Sequence, residues 1–372
     1  MTELSFYRYL FDVFAFVLGA VIGSFLNVCI YRMPLELSVN EPKRSFCPHC
    51  KKQIPWTQNL PLISWLALRG RCSQCGGSIA FRYFGVELFT ALSFLAIWLK
   101  CQPPGPWILA LPYWILASLL IVATFIDLEH FIIPNEITWG GVAAGVALSL
   151  AIPKLMGASS MLMGLLRSLL GAATGYGLLW LVVEVGKKVF GKRRLVFGKE
   201  EPFTWLRQGD DAELRAGEDK LLWSEVFSRE SDRIEMKCAE VKVDEKSFTN
   251  VTLVLFYDRL VVDGTEISLE TVSQFSGTVS EITVPREAMG YGDVKFIAAI
   301  GAFLGWKAVL FTIVTGSVAG AAVGIAAIVA RRRAWSAKIP FGPYLAAGAL
   351  LWLFAGPEII DWYMRIILPP DL

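Results

Sequence analysis

Long apolar runs divided by short polar stretches dominate this chain. They lie at 9–30, 86–100, 108–126, 137–153, 161–186, 293–306, 308–330 and 342–367. About 20 apolar residues in a helix cross about 30 Å of hydrocarbon, so the pattern predicts a polytopic α-helical membrane protein with about eight transmembrane helices. Runs 86–100 and 293–306 are short for a crossing and are expected to be tilted, kinked or partly re-entrant. Between 187 and 287 the pattern changes. Segments 233–238, 251–256, 259–262 and 266–269 alternate with the period of strands, and Asp263-Gly264 between the last two is a hairpin signal. An inserted small β-rich domain is predicted there, with Pro285 ending its last strand. The expected order is a first transmembrane helix (1–30), a soluble loop (31–85), helices (86–186), the inserted domain (187–287) and the closing helices (288–372).

Composition supports a membrane setting, with 55% hydrophobic and 18% charged residues. Orientation follows from where the basic residues fall, because short cytoplasmic loops concentrate Lys and Arg. Loop 31–85 carries Arg32, Lys43, Arg44, Lys51, Lys52, Arg69, Arg71 and Arg82, and segment 331–338 carries Arg331, Arg332, Arg333 and Lys338. Both are assigned to the cytoplasm. Connections 101–107 and 154–160 hold only Lys154 and are assigned outside. Arg8 alone, with no small-residue cleavage site, makes the first run an expected retained span that starts outside. The inserted domain carries more than half of the charged residues, of both signs, and reads as a solvated surface. It contains no nucleotide loop, nucleophile elbow or metal cluster, and no nucleic-acid partner is expected.

Cysteines change the picture of loop 31–85. Cys47-Pro48-His49-Cys50 and Cys72-Ser73-Gln74-Cys75 form two Cys-x-x-Cys knuckles separated by 21 residues. Four thiolates so arranged close on one tetrahedral zinc, with no open position for catalysis, so a structural zinc-binding cytoplasmic loop is expected. A disulfide is the alternative, disfavoured in a reducing compartment. Cys29, Cys101 and Cys238 read as apolar residues.

Two acids at helix ends carry the candidate chemistry. Asp127 ends the apolar run 108–126 in Thr124-Phe125-Ile126-Asp127-Leu128-Glu129-His130, and Asp293 opens one in Met289-Gly290-Tyr291-Gly292-Asp293-Val294-Lys295. Carboxylates at a membrane edge are functional candidates by default. If the two meet, one ionised and one protonated acid form an aspartic-protease pair. The glycines are expected to let the backbone bend and approach an extended peptide. With only two His in the chain, no Ser-His-Asp set competes. The bland alternative has Asp293 capping its helix and Asp127 reaching the interface.

Gly290-Tyr291-Gly292-Asp293-Val294-Lys295, Asp127 with Ile133-Pro134-Asn135-Glu136, Gly23-Ser24-Phe25-Leu26-Asn27-Val28, Tyr31-Arg32-Met33-Pro34, Arg82-Tyr83 leading to Glu87, and the four-cysteine loop together resemble bacterial type IV prepilin peptidases. The resemblance extends over nearly all of the chain outside the insertion, including Gly301–Trp306 and the late Lys338-Ile339-Pro340-Phe341-Gly342-Pro343-Tyr344. It implies a multi-pass protein of the bacterial inner membrane, cleaving prepilin and pseudopilin leaders after a Gly at the cytoplasmic face. It also implies methylation of the new N-terminus with S-adenosylmethionine, Asp127 and Asp293 as the catalytic pair, and zinc on Cys47, Cys50, Cys72 and Cys75. No Gly-x-Gly-x-x-Gly opens a βαβ unit, so the sequence locates no site for the methyl donor. Glu129 stands where the family often has Asp, and Asn135 where it often has Asp after Pro134. The insertion replaces what is usually a short connection, and docking to pilus or secretion machinery is its first expected role. The competing reading is a non-enzymatic membrane scaffold of such an assembly, in which both aspartates are dispensable.

Overall fold

The computed structural model describes all residues except 1–2, 43–44, 48, 191, 209–210, 218, 228–232, 244–245, 273, 286–289, 331–338 and 368–372. The basic residues Lys43, Arg44, Arg331, Arg332, Arg333 and Lys338 therefore lie outside the described residues, as do Pro48 and Met289. Two compact units appear, Met1–Trp180 with Gly290–Leu372, and Leu181–Met289.

In the first unit every apolar run is helical. The elements are α1 (Glu3–Arg32), the short α2 (Ile63–Ala67), α3 (Phe81–Cys101), α4 (Ala110–His130), α5 (Asn135–Ala151), α6 (Met161–Phe190), α8 (Tyr291–Val329) and α9 (Gly342–Ile367). Among the described residues, six of these are long and apolar enough to cross a membrane. The protein is a multi-pass membrane protein. Leu10, Phe14, Val17 and Val21 form an exposed stripe at helical spacing on α1, the pattern of a face that meets lipid rather than water. Helix α1 packs on α3 and α4, α4 on α9, and α8 on both α5 and α9, so α4 links the two groups of helices.

Helix α8, with 39 residues, is two arms. Gly305 has φ 80° and ψ 174°, a conformation open to glycine and strained for other residues. A Cβ on Gly301 would lie 2.8 Å from Val309 Cγ2, although eight residues of straight helix rise ~12 Å. The chain therefore folds back at Gly305. The first arm, 291–304, spans ~21 Å, which explains why that run is short. Breaking the helix frees carbonyls at its tip, and Ala302 O accepts the hydroxyls of Ser168 (2.8 Å) and Ser149 (3.3 Å) from α6 and α5. In a membrane interior, such borrowed donors are what make a broken helix tolerable.

The second unit is an antiparallel eight-stranded sheet in the order β3-β2-β1-β8-β4-β5-β6-β7. Its strands are β1 (Lys192–Gln208), β2 (Asp211–Ala216), β3 (Asp219–Leu222), β4 (Ile234–Val243), β5 (Lys246–Leu255), β6 (Arg259–Val262), β7 (Thr265–Ser268) and β8 (Gln274–Pro285), with one helical turn, α7 (Trp223–Val226). The last five strands, with the Asp263-Gly264 hairpin, cover every segment expected from alternation to within one residue at the ends. The first three extend the sheet beyond that expectation. Strand β1 hides its period because the register shifts between Val196 and Glu201, around Gly198. Lys192 pairs with Pro285, so the unit's two ends lie side by side, as an insertion requires. Its core is aromatic at one end, with Trp205 stacked on Phe275 at 5.0 Å and Trp223 edge-on to Trp205 at 5.8 Å.

Gly305→Ala forces a strained conformation costing about 1–3 kcal/mol. In detergent it should unfold at a clearly lower temperature than the wild type. Gly177→Ala, whose added Cβ meets nothing within 4 Å, should leave the midpoint nearly unchanged.

Candidate active site

Asp127 is the fourth-to-last residue of α4. Phe131 stops that helix in the left-handed conformation, φ 57°, donating its N–H to Asp127 O at 3.0 Å. The side chain is buried, and its Oδ2 accepts the backbone N–H of Gly342 at 2.8 Å. Gly342 is the first residue of α9, so the carboxyl faces the positive end of that helix. A Cβ there would come within 2.7 Å of the same oxygen. Glycine is required at 342 for room.

Asp293 is the third residue of α8 and is also buried. Its Oδ1 has no hydrogen-bond partner, and no side chain caps α8 at Gly290, so this is not a simple capping acid. The two acids are within electrostatic reach of each other. Ile133 ties them together sterically. The Cβ position of Gly292 is 3.3 Å from Ile133 Cβ, and that of Gly342 is 3.1 Å from Ile133 Cδ1. The turn after α4 is thus wedged between the starts of α8 and α9. This corrects the expected use of the glycines. Gly290 is ordinary extended backbone (φ −71°) and Gly292 is helical. Their contribution is missing bulk rather than a sharp bend.

Lys295 does not face the acids as a counter-ion. Its Nζ donates to Asn135 Oδ1 at 2.7 Å, joining α8 to the first residue of α5. The amide at 135 serves as acceptor, so the change from Asp keeps the contact and removes one negative charge. Glu129, two residues after Asp127, pairs with Arg82 on α3.

The four cysteines gather, with their sulfurs all within 4.8 Å of one another and Cys47 Sγ 3.9 Å from Cys75 Sγ. The knuckles repeat each other bond for bond. Cys47 N–H donates to Lys52 O and Lys51 N–H to Cys47 O, while Cys72 N–H donates to Gly77 O and Gly76 N–H to Cys72 O. Lys51 and Gly76 occupy the same left-handed position. Backbone N–H groups of Gln74 and Cys75 hold the Cys72 thiol down to about 7, which favours the thiolate a metal binds. His49 is turned away, its Nε2 lying 3.1 Å from Ser78 O.

Beside this cluster lies a cavity of about 550 Å³, between the cysteine loop, the C-terminal end of α1, the start of α3 and the end of α4. Asn27, Arg32, Tyr83 and Glu87 border it, residues whose roles the sequence leaves open. A signal was present, since buried Asn27, Arg32 and Glu87 interrupt apolar helices. Arg32 is spent locally, donating to the carbonyls of Ser38, Val39 and Pro42 at 3.0 Å each and so folding the loop back onto α1.

Fold and site define a polytopic membrane protein with two buried carboxyls brought together at helix ends. Residues 17–101 match the bacterial peptidase A24 N-terminal domain, and residues 114–199 and 250–325 match the type IV leader peptidase family. The stretch skipped between the last two segments falls in the β-sheet unit. A prepilin leader peptidase/N-methyltransferase of Myxococcus xanthus is 45% identical over 190 residues, covering 51% of this chain and 53% of that protein. One from Aeromonas hydrophila is 28% identical over 383 residues, covering 96% and 94%. One from Pectobacterium carotovorum subsp. carotovorum is 34% identical over 225 residues, covering 53% and 76%. No solved structure matches the chain. The chain belongs to the type IV leader peptidase family.

Proposed function

We infer that this protein is a membrane aspartic endopeptidase that removes the leader peptides of type IV prepilins and pseudopilins and then N-methylates the new N-terminus. The observation that carries the reading is the convergence of Asp127 and Asp293 around Ile133, in a chain of this family. One acid acts ionised and takes a proton from water, whose oxygen attacks the peptide carbonyl. Its protonated partner donates to the developing oxyanion, and the proton taken from the water passes to the leaving amine as the C–N bond breaks. The unpaired Asp293 Oδ1 leaves an acceptor free for that water. The Gly342 N–H holds Asp127 in one orientation, which limits the reorganisation needed during reaction.

The acids belong at the cytoplasmic face of the inner membrane, by the distribution of Lys and Arg. Counting α5 and both arms of α8 gives eight crossings, and the connections then alternate sides consistently. A prepilin helix lies in the bilayer while its basic leader stays in the cytoplasm, bringing the scissile junction to the depth of the pair. Cys47, Cys50, Cys72 and Cys75 hold a structural zinc. Zn–S bonds of about 2.3 Å in a tetrahedron set sulfurs roughly 3.8 Å apart, and the Cys47–Cys75 separation of 3.9 Å suits this. The ion locks both knuckles and thereby the loop over the cavity. The β-sheet unit docks to pilus or secretion machinery.

With a co-expressed prepilin, Asp127→Asn and Asp293→Asn should each reduce cleavage by ~10²- to 10⁴-fold at normal membrane levels, read by gel shift and N-terminal mass. Unchanged cleavage in either variant removes that acid from the mechanism and favours the scaffold.

Purified protein should carry about one zinc per chain by elemental analysis. Cys72→Ser should lose most of it, with a lower unfolding temperature. A metal-free wild type with the same stability contradicts the structural zinc.

A further inference from the structure

We propose that Lys295 and Asn135 are positioning residues of the peptidase, forming a latch that holds Asp293 where it can share one water with Asp127. This rests on the aspartic-peptidase reading above and names the residues that keep its acids aligned. The two acids are secured by different means. Asp127 is gripped at its carboxyl, where Oδ2 accepts the Gly342 N–H at 2.8 Å. Asp293 Oδ1 is buried and has no partner, so that oxygen stays open for chemistry and the placement of Asp293 depends on where the first turn of α8 sits.

Gly292 contributes packing to that turn, its Cβ position lying 3.3 Å from Ile133 Cβ. Such a contact is apolar and therefore non-directional. A directional anchor comes further along the helix, at Lys295. Its Nζ donates to Asn135 Oδ1 at 2.7 Å, the short distance of a charge-assisted bond. Residues two apart on a helix do not face each other, so Lys295 reaches α5 rather than Asp293. Its influence on the acids passes through Asn135.

Asn135 closes the connection 131–135 that follows α4, and that short connection touches α4, α8 and α9. Phe131 N–H donates to Asp127 O at 3.0 Å, Ile133 fills the space between Gly292 and Gly342, and Asn135 receives Lys295. The connection is a splint from the helix that carries Asp127 to the helix that carries Asp293. Pro134, with φ −56°, fixes the backbone between the Ile133 wedge and the latch, so a displacement of Asn135 is passed to Ile133. With the latch open, Ile133 and the first turn of α8 are free to part. Misplacing a reacting group by about 1 Å can cost about 100-fold in rate.

The test measures cleavage of a purified prepilin by the full-length protein in detergent, for Lys295→Met, Asn135→Leu, the double variant and Asn135→Asp. Each of the first two should lower kcat by about tenfold or more, with KM and the unfolding midpoint unchanged. The double variant should be no slower than the singles, because both remove the same bond. Asn135→Asp, which restores an acceptor, should recover most of the rate lost in Asn135→Leu. An unchanged kcat in Lys295→Met, or losses that multiply in the double variant, overturns the latch. A second readout needs no cleavage: with cysteines at 127 and 293 in a background lacking the native seven, Lys295→Met should slow thiol cross-linking between them by about tenfold. An unchanged linkage rate also overturns the latch. Slower linkage in a protein whose wild type cleaves no prepilin sustains the latch and overturns the peptidase reading.

Discussion

The hydrogen bond from the Gly342 N–H to Asp127 is the contact on which the rest of the site depends. A carboxyl buried beside the bilayer is costly unless its oxygens are satisfied, and here the donor is the first N–H of a helix that has no intrahelical use for it. The bond fixes α9 to the end of α4, and only a residue without Cβ fits there. Ile133 then fills the space between Gly342 and Gly292 and brings the start of α8 to the same place. One polar bond and one apolar wedge thus assemble two acids from elements more than 160 residues apart in sequence.

Maintaining that geometry falls to the broken helix. Because α8 turns back at Gly305, its second arm passes beside the start of α9, with Gly316 against Tyr344 and Gly324 against Ile339. The carbonyl of Ala302, freed by the turn, anchors α5 and α6 through their serines. Asp293 is held by the short arm, and its Lys295 neighbour is tied to α5. The membrane unit thereby places a rigid acid pair at helix ends, while the cysteine loop shapes a cavity bordered by Glu129 and His130 at the same end of α4.

Much of this was legible in order and type. Apolar runs marked every long helix, including the division near Gly305, because period and length carry that information directly. The cysteine knuckles were legible because two Cys-x-x-Cys turns place their sulfurs to converge, and the four do gather. Strand β1 was not, since a bulge around Gly198 breaks its alternation. The role of Gly292 was misread, because missing bulk and backbone freedom look alike in a sequence. The cavity was invisible for a different reason. Asn27, Trp65, Arg82 and Glu129 lie on four separate segments, and only the crossing of α1 on α3 at Gly23 brings them together.

The central claim is that Asp127 and Asp293 share one site. The direct measurement replaces both with cysteine in a background lacking the native seven, treats membranes with a short bifunctional thiol reagent and identifies linked peptides by mass spectrometry. The account predicts efficient linkage of the peptides carrying positions 127 and 293, and none when position 127 is paired with a cysteine at exposed Val318. Labelled but unlinked cysteines at 127 and 293 would contradict it.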